Sequence, residues 1–478
     1  MTRDRTLRAG TATRLTALLG AAAALSACVS TPPAVPARVA RPTQSYAADK
    51  ALASAPRDWP ADAWWRAYGD PQLDALMAEA LAGSPTLAVA EARVRKAMAL
   101  ENHGRLMPVI SANASAEEQK QSYNSGIPKA FVPHGYNDYG RATLDFSWEL
   151  DFWGKNRAAV AAAVSETRAA EADAAEARLI LSTSVASAYA DLARLYAERD
   201  VSQRAMEAQG ETSRLVQSRV QNGLDTLGEQ RQAEAEPLQA KADLALIDEL
   251  IALTRNRLAA LAGAGPDRGL ALARPPAAGL KPIGVPATLA ASLVGRRPDI
   301  TAARWRAEAA TSRIKEAKAA FLPNVNLAAF VGVQSLFLNQ LTAAGSDIGS
   351  VGPAISLPIF NGGHLTANLR GAEADRDAAV AAYDAAVTEA FHQVADVIAS
   401  SRALQGELAD SRAALAASED AYRIARLRYE GGLSTYPVVL LAEQGLLKRR
   451  RIVADLEARA FALDIELVRA LGGGYHAA

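Results

Sequence analysis

Two stretches of this chain, Ala158 to Gln221 and Leu365 to Glu430, run for about 65 residues without a proline. At 1.5 Å per residue a helix of that length is a rod of roughly 97 Å, and no globular core needs one. Composition supports rods: apolar residues make up 50% of the chain but aromatics only 6%. Alanine carries most of the difference, in Ala/Glu/Arg/Leu stretches that make extended, closely packed helices. Each rod is followed by a glycine turn and a returning helix of about 39 residues, Leu224 to Ala262 and Leu433 to Leu471, counted on the same periodic pattern. Each is preceded by a leading helix, Pro71 to about Arg105 and Pro286 to about Ala320, that closes before a proline.

The unit is therefore written twice. Ser84-Pro85-Thr86-Leu87 returns as Arg297-Pro298-Asp299-Ile300, and Leu106-Met107-Pro108 as Phe321-Leu322-Pro323. Arg219-Val220-Gln221-Asn222-Gly223-Leu224-Asp225-Thr226 returns as Arg428-Tyr429-Glu430-Gly431-Gly432-Leu433-Ser434-Thr435. The matches lie about 210 positions apart, far beyond the solenoid periods of about 20 to 50, so a domain has been duplicated. The expected organisation is a first repeat over 61–285 and a second over 286–478, with the Pro/Gly-rich segment Gly263 to Pro286 between the two sets of helices.

Between leading helix and rod each copy carries two strands. From Arg141 the chain alternates Ala142, Leu144, Phe146, Trp148, Leu150 and Phe152 with Arg141, Thr143, Asp145, Ser147, Glu149 and Asp151. That is a strand with one apolar and one aqueous face. Ile110, Ala112 and Ala114 supply its partner, and Val325, Leu327 and Val331 with Val351, Ile355 and Leu357 repeat the pattern less cleanly. Segments of roughly ten residues suit a tilted strand crossing a bilayer, although strands of a soluble sandwich alternate in the same way. Four strands are too few to close a membrane barrel, which needs about eight or more. An open edge is not tolerated in lipid, so several chains would have to contribute, and three would give about twelve strands.

The first residues read as a secretory leader over 1–27: Arg3, Arg5, Arg8 and Arg14 precede an apolar run from Leu15 to Leu25, too short to span a bilayer. Leu25-Ser26-Ala27-Cys28 resembles a bacterial lipobox, in which Cys28 is acylated, and Val29 in place of aspartate resembles the sorting state for the outer membrane. Acyl chains contribute roughly 0.8 kcal/mol per buried methylene, enough for multiple chains to anchor stably. Cys28 is the only cysteine, which excludes an intrachain disulfide. Residues 28–60, rich in Pro, Ala and Thr, read as a lipidated tether. Without the leader the chain carries a net charge of about −3, which offers no sequence-wide basic surface for nucleic acid.

Constellations that would carry chemistry are missing. His103, His134, His364, His392 and His476 have neither metal-ligand spacing nor a cysteine partner. Gly472-Gly473-Gly474 lacks the lysine of a phosphate loop and reads as a helix stop. Lys448-Arg449-Arg450-Arg451 falls on a helix dense in acids and reads as a solvated face. Asp145, Glu149 and Asp151 share one strand face and fit a watery lumen better than catalysis. No nucleophile elbow is present. The expectation is a protein that is not an enzyme, with no metal and no cofactor.

Four motifs, in order along the chain, resemble the TolC-like outer-membrane efflux family, in particular its NodT-like lipoprotein branch. They are Trp65 with Tyr68-Gly69-Asp70-Pro71-Gln72-Leu73; Arg296-Arg297-Pro298-Asp299-Ile300; Ala319-Ala320-Phe321-Leu322-Pro323; and Gly352-Pro353-Ala354-Ile355-Ser356-Leu357-Pro358-Ile359-Phe360-Asn361-Gly362-Gly363. The resemblance implies a mainly α fold with a membrane β-barrel, in which a trimer completes twelve strands above a periplasmic tunnel of helices. It implies a passive outer-membrane conduit of a tripartite system, partnered by a periplasmic adaptor and an inner-membrane pump. The tip turns Asn222-Gly223-Leu224 and Gly431-Gly432-Leu433 match the family's adaptor-docking and closing region, where glycine also has the plain local use of a positive φ. Tyr429 matches a tyrosine of the gate network. Val438 and Leu441 stand where well-known members carry ring-forming aspartates, which points to a gate closed by an apolar or loosely polar ring rather than an acidic one. Drug efflux, metal export and type I protein secretion share such a duct, and the sequence does not choose among them. A non-porous coiled-coil lipoprotein would have no use for the amphipathic strand at Arg141 to Phe152.

Overall fold

The computed structural model describes residues 32–33, 35–48, 50–53, 58–120, 128–276, 293 and 295–476. The leader, Cys28, residues 121–127 and residues 277–292 lie outside the described residues. Among the described residues seven long helices and four strands organise the fold: α1 (Pro71–Gly83), α2 (Pro85–Leu100), β1 (Val109–Lys120), β2 (Tyr136–Glu149), α3 (Lys155–Gln221), α4 (Leu227–Leu261), α5 (Pro298–Ala319), β3 (Asn324–Ser335), β4 (Asp347–Ser356), α6 (His364–Glu430) and α7 (Tyr436–Ala470), with a one-turn helix at Asp267–Leu270 after α4. The rods α3 and α6 are each 67 residues long, and the returning helices α4 and α7 are each 35.

Several boundaries differ from the sequence expectation for local reasons. The first leading helix is two helices, because Pro85 drives Ser84 out of the helical region, to φ −68° and ψ 120°. Its second part stops at Leu100 instead of near Arg105, with Asn102 in the left-handed region at φ 34°. The returning helices begin three residues late, since Leu224 and Leu433 belong to the turns and Thr226 and Thr435 are the N-caps. Pro237 lies inside α4 without ending it. The strand β2 begins at Tyr136, five residues before the alternation that starts at Arg141. Asp151 is past the end of β2, and its carboxylate accepts the Asn156 and Arg157 amides at 3.2 and 2.9 Å, satisfying free N–H groups at the start of α3.

The chain folds as two compact units, each built from both halves of the sequence. One unit combines 95–168 and 304–382 and holds the sheet, antiparallel throughout, in the order β1-β2-β3-β4. The duplicated strand pairs join at β2 and β3, with Thr143 opposite Gly332 and Phe146 opposite Ala329. Gly332 is required there: a Cβ would stand 2.1 Å from the Ala142 carbonyl oxygen, while Thr143 is buried beside it. Ile314, Phe321 and Leu369 form a small core in the same unit, and the Trp153 indole donates to the Pro323 carbonyl at 2.8 Å.

The other unit combines 40–94, 169–303 and 383–478 and is helical. Alanines on α3 let the rod approach closely, and Val185, Ala186, Ala188, Tyr189 and Leu192 bury Trp64, Trp65, Leu73, Leu76 and Met77. Val387, Ala390, Phe391 and Val394 of α6 do the same for Ile300, Leu463 and Leu467. The resemblance motifs are structural knots here. Asp70 caps α1 by accepting the Gln72 amide at 2.9 Å and also takes the Tyr189 hydroxyl at 2.5 Å. Arg297, 6% exposed, donates to Asp299, to Gln393 at 2.8 Å and to the Ala470 carbonyl at 3.0 Å, closing the end of α7. Gly472 seats that end, since a Cβ would meet the Arg296 carbonyl oxygen at 2.0 Å.

Candidate functional site

Two features stand out, one in each unit. In the first, alternation along all four strands places Ile110, Leu144, Val331, Val351 and Ile355 on one face, 50% to 75% exposed. The opposite face is polar: Asp145 accepts from Asn113 and Thr143, both at 2.9 Å, Arg141 lies 5.1 Å over the Phe330 ring, and Glu149 pairs with Lys155. A large apolar face left in solvent marks a surface meant for another apolar phase. Among the described residues the outer edges of β1 and β4 pair with no further strand. No single described helix is long and apolar enough to cross a membrane.

In the second unit the two hairpin turns are built alike. Gly223 and Gly432 take φ of 73° and 75°, and the Leu224 and Leu433 amides reach back to the Arg219 and Arg428 carbonyls at 2.9 and 2.7 Å, a Schellman ending at each rod. Gly431 keeps a right-handed backbone and continues the helix by donating to the Leu427 carbonyl at 3.0 Å, so of the two glycines there only Gly432 needs its lack of a side chain. Asn222 bonds the Ser218 carbonyl through its own amide at 2.8 Å. Leu224 and Leu433 are 63% and 72% exposed, which leaves an apolar residue at each tip.

Tyr429, Val438 and Leu441 separate in the structure. Val438 and Leu441 lie three residues apart on the first turns of α7 and face outward. Tyr429 is fully buried, in a cluster with Val216, Ala233, Tyr436, Val439 and Leu440. Its hydroxyl donates to the Asp225 carboxylate on the other hairpin, and burial beside that carboxylate pushes the phenol far up. Arg219 completes the knot: it pairs with Asp225 at 3.0 Å, donates to the Tyr429 carbonyl at 3.1 Å and covers the Tyr429 ring at 4.4 Å. Sequence reasoning missed Arg219 and Asp225 as site residues. The signal was present in the aligned repeats, where Asp225 faces Ser434 and Val220 faces Tyr429, so the two copies carry different halves of one knot.

Other candidate groups have ordinary roles. Arg450 and Arg451 of the basic run pair with Glu419 at 2.9 Å and Asp243 at 3.1 Å. Among the described residues no group of three or more His, Cys, Asp or Glu could hold a metal ion.

Comparison with known proteins fits this geometry. A family model described as outer membrane efflux protein matches residues 76–264 and 289–473. The chain is 31% identical to multidrug resistance outer membrane protein MdtP of Escherichia coli K12, over 97% of this chain and 96% of MdtP. It is 39% identical over 334 residues to fusaric acid resistance protein FusA of Burkholderia cepacia, a match that spans 68% of this chain and 63% of FusA. Among solved structures, the outer membrane protein VceC of Vibrio cholerae aligns with a TM-score of 0.81 at 45% identity, over 87% of this chain and all of VceC, 100%. The outer-membrane channel OprN aligns at 0.80 and 29% identity, over 94% of this chain and 99% of OprN. The family model matches both halves of the duplication and the match to MdtP runs over nearly the whole of both chains, so the chain belongs to the outer membrane efflux protein family.

Proposed function

We propose that three copies of this chain assemble into the exit duct of a tripartite efflux system, each contributing its four strands to a twelve-stranded barrel in the outer membrane and its helical hairpins to a periplasmic tunnel. The observation that carries this reading is the sheet: its apolar face is exposed and, among the described residues, the outer edges of β1 and β4 have no partner strand, a combination that lipid tolerates only when neighbouring copies close the ring. The polar face, with Asp145 and Glu149, then lines water.

In this reading the duct is passive, performs no chemistry and takes energy and substrate choice from an inner-membrane pump. A periplasmic adaptor docks on the tips through Asn222, Gly223, Leu224, Gly431, Gly432 and Leu433. Tyr429 acts in closing the tunnel from within the packed tip, while Val438 and Leu441 form the apolar ring. Cys28 is acylated after removal of residues 1–27, and 28–60 tether the body to outer-membrane lipid. The names of MdtP and FusA, multidrug and fusaric acid resistance, support small organic molecules as cargo over secreted proteins. Light scattering of detergent-extracted protein, corrected for bound detergent, with single-channel recording in planar bilayers tests the assembly. A trimer with discrete conductance is expected; a monomer without conductance would overturn the shared barrel.

A further inference from the structure

The internal duplication supplies its own control for an unusual residue. Glu234 on α4 and Glu443 on α7 occupy the same place in the two repeats, eight residues after the N-cap threonines Thr226 and Thr435. Glu234 is a surface residue that accepts from Gln230 at 2.8 Å and Arg231 at 2.7 Å, which hold its carboxyl below the usual range. At the positions of those two partners the second repeat has Val439 and Leu440, both buried in the tip cluster. Glu443 follows them into the interior: it is 2% exposed, and neither carboxylate oxygen has a hydrogen-bond donor in bonding geometry. One turn back along α7, Val439 and Leu440 belong to the cluster that contains Tyr429, so this carboxyl shares a helix face with residues that pack on the knot of Arg219, Asp225 and Tyr429.

We propose that Glu443 is a proton-operated latch of the hairpin tip: neutral, it lets α7 pack against α4, α6 and α3; charged, it loosens that packing. This rests on the channel reading only for its consequence, since loosening the tip of a duct eases its opening. The groups acting on Glu443 are Glu236 from α4, Tyr422 and Arg426 from α6, and Tyr436 on α7 itself; from α3, Glu211 engages Arg426 at 3.7 Å. Burial dominates and Glu236 adds to it, while Arg426 and Tyr422 favour the charged form too weakly to compensate, so the carboxyl is pushed up from 4.5 to about 7. Arg426 is also engaged by Glu430 at 2.9 Å. The sign follows from the raised value. Packing gains nothing from deprotonation and is fully supported below about pH 4.5; that support is lost as pH rises through about 7 and changes no further above it.

The test is hydrogen exchange on the full-length protein in detergent, followed at Tyr436 to Leu447 and corrected for the intrinsic pH dependence of exchange. From about pH 6 to about pH 8 protection there should fall roughly tenfold in the wild type. Glu443→Gln, which keeps shape and removes the charge, should abolish the fall; Glu234→Gln, at the matching repeat position, should leave it intact. Equal protection profiles for wild type and Glu443→Gln would overturn the latch. Bilayer recordings over the same range separate the two readings: a pH-dependent tip without conductance at any pH counts against the duct and not against the latch.

Discussion

The guanidinium of Arg219 lies 4.4 Å above the ring of Tyr429 and bonds the Tyr429 carbonyl at 3.1 Å, so the end of the first rod is clamped to the end of the second. Asp225 receives both the Arg219 ion pair and the Tyr429 hydroxyl. Removing Asp225 strands two donors in a nearly dry site, at about 1 to 3 kcal/mol for each. Asp225→Ala should therefore shift the closed tip toward opening by about tenfold or more, since about 1.4 kcal/mol is a factor of ten. Single-channel open probability is the measure, and Tyr429→Phe, which leaves the ion pair in place, should shift it less.

Arg297 should be a folding residue and not a transport residue. Its guanidinium is buried and simultaneously meets Asp299, Gln393 and the Ala470 carbonyl. Arg297→Ala removes the ion pair to Asp299 and the donor to the Ala470 carbonyl, and is expected to destabilise the helical unit by about 1 to 3 kcal/mol. Lysine should not restore it, because the two-pronged geometry to Asp299, at 3.0 and 2.6 Å, needs a planar fork. Thermal loss of helical circular dichroism in detergent would register both substitutions.

Within the sheet, two glycines make opposite predictions. A Cβ at Gly332 would stand 2.1 Å from the Ala142 carbonyl oxygen and 2.7 Å from the Thr143 Cα, both backbone atoms that cannot swing away, whereas a Cβ at Gly352 would meet nothing within 4 Å. Gly332→Ala should disrupt the β2–β3 pairing that unites the repeats and reduce the amount of assembled protein in outer-membrane fractions. Gly352→Ala should assemble like the wild type.

The tip leucines separate docking from folding. Leu224 and Leu433 are largely exposed, so Leu224→Asp with Leu433→Asp should change stability by less than about 0.5 kcal/mol each. If the tips receive the adaptor, the double variant should melt normally and yet fail to restore drug resistance to cells lacking the duct. Full resistance from that variant would place docking elsewhere.

Much of this was legible in the sequence because the elements are long and periodic. Proline-free rods, glycine stops at Gly223 and Gly432, and the alternation from Arg141 all reflect local backbone chemistry that does not wait for tertiary contacts. What was not legible depended on which neighbour a residue meets. Asp151 continues the alternation of β2 but is taken by the start of α3, because free helix amides compete with the strand for its carboxylate. Asp225 and Glu443 look like surface acids on helical hairpins, and only the joining of the two repeats turns one into a clamp and leaves the other buried without a donor.

The outward faces of Val438 and Leu441 set the last expectation. Both are exposed on the first two turns of α7, 50% and 73%, and neither bears charge. A constriction lined by them would present passing ions with no fixed negative potential, so the wild-type channel should discriminate weakly between cations and anions and resist block by trivalent cations. Val438→Asp with Leu441→Asp would place two carboxylates per chain on that face, about six in a trimer, where their fields add within a Debye length of about 8 Å. The double variant should become cation-selective and acquire periplasmic-side block by a trivalent cation in reversal-potential recordings. Strong cation selectivity already present in the wild type would mean that the ring is formed by other residues and that Val438 and Leu441 face away from the pore.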